Sequence, residues 1–89
     1  MASKAGIKSA IEGHIGSNYS SWRIGLTHDW SQRKQEWKDD GKDVTHWHVW
    51  EADSLTDAQN LESHFIALGL KGGTGGNLSE RKTVYVYIF

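Results

Sequence analysis

Four residues in chain order, Gly25, Arg33, Glu62 and Asn77, carry the chemistry this sequence has to offer. They supply a turn-permitting glycine, a permanently charged planar cation, a carboxylate and an amide. A guanidinium fork matches phosphate or carboxylate oxygens, and Trp30 and Trp37 one turn to either side of Arg33 make its stem cross apolar surface before the charge finds a partner. The competing role for Arg33 is a structural salt bridge or a cation–π contact with one of those tryptophans. Glu62 follows Leu61 and stands one turn after Ala58, at the border of an apolar stripe. A carboxylate placed there can hold Mg2+ or Mn2+ through one oxygen, water completing the shell; otherwise it is a solvated helix-face residue. Asn77 closes the run Gly72-Gly73-Thr74-Gly75-Gly76-Asn77, in which backbone amides can form an anion nest. No helix follows and no Lys-Ser/Thr pair closes the run, so it is not a P-loop, and an asparagine in a turn also serves its own backbone.

Further candidates are histidines and tyrosines. His46 and His48 stand two apart in a stretch dense in β-formers, a spacing that suits a transition metal if His28 or His64 converges on it, and half-buried strand packing if not. Tyr85 and Tyr87 join the site if they face Arg33 and Glu62; otherwise they pack. A basic set comprising Arg23, Arg33, Lys34, Lys38, Lys42, Lys71, Arg81 and Lys82 can form a local nucleic-acid-binding patch, diluted by Asp39, Asp40, Asp43 and Asp53.

The elements that must position these groups alternate. Ser3 caps a short amphipathic helix to about Glu12, and Gly13 to Asn18 break it. From Tyr19 to Thr27 the period changes to two, with Trp22, Ile24 and Leu26 on one face. Asp29 and Gln32 make a capping box for a helix to about Asp39, whose inward stripe is Trp30, Arg33, Lys34 and Trp37. Val44 to Glu51 reads as a strand covered on both faces, and Ser54 and Asp57 cap a helix with Ala58, Leu61, Phe65 and Leu68 buried. After a glycine-rich loop over 71–82, Thr83 to Phe89 alternate as a last strand. The expected fold is α+β, a small three-stranded sheet flanked by three helices.

With 89 residues the chain allows one domain, residues 1–89, with one modest core. Five Trp, three Tyr and two Phe make that core bulky despite an apolar share of 37%. The absence of Cys excludes thiolate chemistry and disulfides, and no apolar run approaches the roughly 20 residues of a membrane span. Lacking a signal-peptide pattern, the chain is expected in the cytoplasm, with no membrane partner. A net charge of -1 means that any nucleic acid must be held by a local patch, in a salt-sensitive way.

The segment Trp22-Arg23-Ile24-Gly25-Leu26-Thr27-His28-Asp29, followed by Arg33, resembles the second strand and first helix of the GIY-YIG nuclease superfamily. Ala58-Gln59-Asn60-Leu61-Glu62 resembles its metal-binding helix, and Asn77 stands in the place of its terminal Asn. The resemblance implies a metal-dependent phosphodiesterase of the compact phage or mobile-element type. Glu62 would then hold Mg2+ or Mn2+, Arg33 would bind the scissile phosphate and Asn77 would anchor the site, while Tyr85 or Tyr87 and a histidine, His46 or His48, would help position or deprotonate water. Two departures stand out. Arg23 occupies the position of the Tyr in Tyr-Ile-Gly, and no Gly-Ile-Tyr strand precedes it, so Val84 to Ile88 would have to supply that strand from the other end of the chain, as in a circular permutation. The alternatives are a non-catalytic module of the same fold, such as an accessory or inhibitor protein binding a protein partner through tryptophans, and a single-strand nucleic-acid binder that stacks bases on aromatics.

Overall fold

In the computed structural model, which describes residues 3–72 and 78–89, three helices flank a three-stranded antiparallel sheet. The elements are α1 (Lys4–Ile15), a 3-10 turn (Tyr19–Ser21), β1 (Ile24–Thr27), α2 (Trp30–Asp39), β2 (His48–Glu51), α3 (Leu55–Leu68) and β3 (Tyr85–Ile88). The strand order is β1-β3-β2, so the last strand in sequence is the central one. Gly25 lies opposite Tyr87 on one side of it and Val49 opposite the same Tyr87 on the other. The strand that carries Arg23 and Gly25 therefore has the tyrosine-bearing C-terminal strand as its neighbour.

Caps fix the helix starts. Ser3 Oγ accepts from the Gly6 amide, Asp29 Oδ1 from Gln32 and Ser54 Oγ from Asp57, each at 3.0 or 3.1 Å. The Asp29 amide in turn donates to Thr27 Oγ1, so the hydroxyl, not Gln32, completes the turn into α2.

Strand alternation sorts the side chains into two layers. Ile24, Leu26, Val86 and Ile88 pack against Ile7, Ile11 and Ile15 of α1 and Ala58, Leu61 and Phe65 of α3, all buried. The opposite face carries an aromatic layer instead of solvent. Trp47 stacks on Tyr87 with centroids 4.5 Å apart and an interplanar angle of 11°, Phe89 lies 5.3 Å from Trp47, and Trp37 of α2 lies 5.3 Å from Phe89. The tryptophan content thus makes a second, smaller core.

Several boundaries differ from those the sequence suggests. α1 runs to Ile15 because Ile15 adds a third buried contact, and Gly16 ends it with its amide bonded to Glu12 O. The first strand starts at Ile24, after the 3-10 turn. β2 spans only four residues; His46 lies in the preceding turn and is exposed. α2 buries none of its residues, Trp30 being 38% exposed, and Leu68 at the end of α3 is 39% exposed. None of the helices among the described residues is long and apolar enough to cross a membrane.

Candidate functional site

The site forms where the edge strand β1 lacks a side chain. A Cβ on Gly25 would stand 2.2 Å from Tyr87 Oη and 2.3 Å from the ring carbon that bears it. The phenol lies across the strand because glycine leaves that space, and its hydroxyl thereby reaches towards the outer edge of β1. Trp37 holds it there: the indole Nε1–H donates to Tyr87 Oη at 3.0 Å. That bond occupies one lone pair of the hydroxyl, and Tyr87's own proton is free to point into the site.

Charged groups from three elements act on this phenol. Burial raises the Tyr87 pKa, the Trp37 hydrogen bond and the Arg33 and Arg23 charges oppose the rise, and Glu62 adds to it. Tyr87 is therefore a protonated donor at neutral pH, on which the charges of Arg33 from α2, Arg23 beside β1 and Glu62 from α3 act. The Arg33 Nε–H is paired with Glu36 Oε1 at 3.3 Å within α2, which leaves its terminal amino groups unused by that pair. Arg23 lies over the Trp37 ring, 4.7 Å from its centroid, and 6.0 Å from that of Phe89. Trp37 thus orients two groups at once, an arginine on its face and a phenol on its edge.

Glu62 is half-buried, and burial alone raises its pKa. Nothing among the described residues offsets that cost, since the sole ion pair there joins Arg33 to Glu36. A partly desolvated carboxylate without a cationic partner fits a hard divalent cation that keeps most of its water. Among the described residues no three His, Cys, Asp or Glu side chains cluster to share a metal.

The other candidates scatter. Asn77 lies outside the described residues. Tyr85, opposite Thr27 and Glu51, shares the sheet face of Tyr87 one step further along. His48 is on the wrong face: its register with Ile88 turns it to the inner layer, where His14 of α1 stacks on it at 3.7 Å. Burial first, then the charges of His14 and His46, lower its pKa, so its neutral form is favoured. His46 lies in the exposed turn before the strand, so the two histidines do not share a strand face as the alternation suggests. His28 is committed elsewhere. Its Nδ1–H donates to Thr83 O and its Nε2 accepts from the Ser79 amide, both at 2.9 Å, so both nitrogens tie the late loop to the end of β1. His64 packs edge-on against its neighbour Phe65.

Of the basic residues, Lys34 and Lys38 line a groove beside α2 with Lys42, while Arg23 and Lys71 line a second depression that also includes Lys42. Sequence reading missed Trp37 as a site residue. The signal was present, since Trp37 lies four residues after Arg33, but an indole on an amphipathic stripe reads first as core.

Trp37→Phe keeps the ring that carries Arg23 and removes the donor to Tyr87. The Tyr87 pKa should rise further, because a bond that favours the phenolate is lost, and stability should fall by about 1 kcal/mol. NMR titration of ring-labelled tyrosine checks the first and thermal unfolding the second; an unmoved Tyr87 titration would show the bond to be inconsequential.

Comparison with family models, curated proteins and solved structures finds no match to this chain.

Proposed function

We propose that this chain is a divergent, circularly permuted GIY-YIG-like domain that hydrolyses phosphodiester bonds in nucleic acid with a divalent cation. The observation that carries the reading is the placing of Tyr87: its phenol lies across the glycine of β1, held by Trp37, where the charges of Arg33 on α2 and Glu62 on α3 act on it. The antiparallel pairing of β1 with β3 supports the permutation, because it seats a tyrosine strand beside Ile24-Gly25 without any strand preceding them.

The roles follow from the groups. Arg33 binds a non-bridging phosphate oxygen through its terminal N–H groups and stabilises the charge that grows there in the transition state. Tyr87, protonated and held by Trp37, donates to a second oxygen or to the attacking water and fixes its line of approach. Glu62 would anchor the cation. Bound Mg2+ or Mn2+ would polarise the phosphoryl group and acidify a coordinated water.

The test is cleavage of a labelled oligonucleotide by the purified protein. Products should appear with Mg2+ or Mn2+, stop when the cation is chelated and return on its re-addition. Arg33→Ala should lower the rate on the order of 10^3-fold, the range set by removing one transition-state cation. Equal rates in wild type and Arg33→Ala would assign any cleavage to a contaminant.

A further inference from the structure

Two depressions on the α2 side of the molecule share Lys42 and Asp43. The larger, of about 590 Å³, runs between α2 and the 42–45 segment, and Lys34 and Lys38 follow Lys42 along it with Trp30 at its far end. The smaller, of about 170 Å³, contains Arg23 and Lys71. Arg23 is the link to the site, because its charge acts on the Tyr87 hydroxyl while its guanidinium rests on Trp37. We infer that these residues form one track, leading from the Tyr87 site over Arg23 and Lys71, past Lys42, along Lys38 and Lys34 to Trp30, and that the track holds a single-stranded nucleic acid.

Charge selects a polyanion. Five cations, Arg23, Lys71, Lys42, Lys38 and Lys34, are strung along a protein whose net charge is -1, so the positive potential is local. The single carboxylate lining both depressions, Asp43, is itself occupied, accepting from the Thr45 amide at 2.9 Å and from the Thr45 hydroxyl. The groove is bounded by one helix, α2, and one short segment, residues 42–45, so its cations follow one another in a single file. Spacing agrees: lysines at 34 and 38, one turn apart on α2, lie about 6 Å from each other along the axis, close to the phosphate repeat of an extended strand. Trp30 provides the element a duplex cannot use, since an indole 38% exposed at the groove's end offers a face to an unpaired base. The other four tryptophans are only partly exposed, all of them packed in the aromatic and histidine clusters.

This inference deepens the hydrolase reading by naming its substrate as single-stranded, and it is tested without catalysis. Fluorescence anisotropy of a labelled oligothymidylate of about 8 nucleotides, within the site size of small single-strand binders, is measured with chelator present. The expected slope of log affinity against log salt is about -3.5, at roughly 0.7 per neutralised phosphate for a single strand. Lys34→Ala/Lys38→Ala/Lys42→Ala, confirmed as folded by circular dichroism, should lower affinity at least about tenfold and shrink the slope by about 2. Trp30→Ala should weaken binding roughly 5- to 100-fold and abolish the part of the tryptophan quenching that binding produces. An unchanged slope in the triple variant overturns the track, as does a Trp30→Ala protein that binds like wild type, or a duplex of the same sequence bound more tightly than the strand. Binding that follows these variants without any cleavage under Mg2+ leaves the track standing and removes the hydrolase.

Discussion

Gly25→Ala should lose both cleavage and about 2–3 kcal/mol of stability, the upper part of the range for an added methyl in a filled space. The reason is that the clash cannot be relieved at the tip of a flexible side chain. The added Cβ would overlap Tyr87 Oη at 2.2 Å and the ring carbon behind it at 2.3 Å, and the ring is fixed by its stack on Trp47 and by the bond from Trp37. Tyr87 must therefore rotate out or the edge strand must move. In a domain of this size 2 kcal/mol corresponds to a melting temperature lower by roughly 8–16 °C. A second substitution separates packing from chemistry. Tyr87→Leu removes both clashing atoms, so the double variant should regain most of the lost melting temperature while remaining inactive. Tyr87→Phe should rescue poorly, because the ring carbon remains. A Gly25→Ala protein with wild-type melting and cleavage would mean that the phenol does not lie across the strand in solution.

The fold was largely legible because its signals are local. Ser3, Asp29 and Ser54 cap helices as their side chains suggest, and Val84, Val86 and Ile88 alternate onto the core as a strand should. Strand order was not local information; the central place of β3 follows from the two-sided burial of Tyr87 between Gly25 and Val49, which no window of sequence contains. That the charges of Arg33 and Glu62 act on Tyr87 was anticipated only as a condition on the tyrosine's face. His46 and His48 misled because the alternation that makes them partners continues past the start of the strand; Val44 to Trp47 make a turn, with the Trp47 amide bonded to Val44 O, and lay the Trp47 ring over Tyr87. The same geometry split the supposed inward stripe of α2. Trp37 turns to the sheet, and Trp30 and Lys34 turn to the groove, because an aromatic layer one side chain deep cannot bury a whole helical stripe.

Glu62→Gln should abolish metal-dependent cleavage and at the same time make the protein more stable at neutral pH. Loss of the cation's anchor removes several kcal/mol of transition-state stabilisation, hence a rate lower by 10^3-fold or more. The stability effect has the opposite direction because burial raises the Glu62 pKa in the folded state. The native protein then binds the proton more tightly than the unfolded chain does, so this group's favourable contribution is present below the unfolded carboxylate value and is lost as pH rises through the folded one. At pH 7 the ionised Glu62 is a partly desolvated charge whose cost the amide avoids. It is only partly buried, so water already relieves much of that cost, and a gain of up to about 0.5 kcal/mol, or roughly 2–4 °C, is expected. Two further readouts bind the prediction to this mechanism. The melting advantage of Glu62→Gln should shrink as pH is lowered through the carboxylate range, and millimolar Mg2+ should stabilise the wild type but not the variant, since a ligand that binds only the native state shifts its melting. A Glu62→Gln protein that is less stable than wild type at neutral pH and equally responsive to Mg2+ would place Glu62 in a structural contact and move the cation elsewhere. If the variant gains stability and loses cleavage together, Glu62 is kept ionised at a cost to the fold, which is the expected signature of a carboxylate retained for a cation.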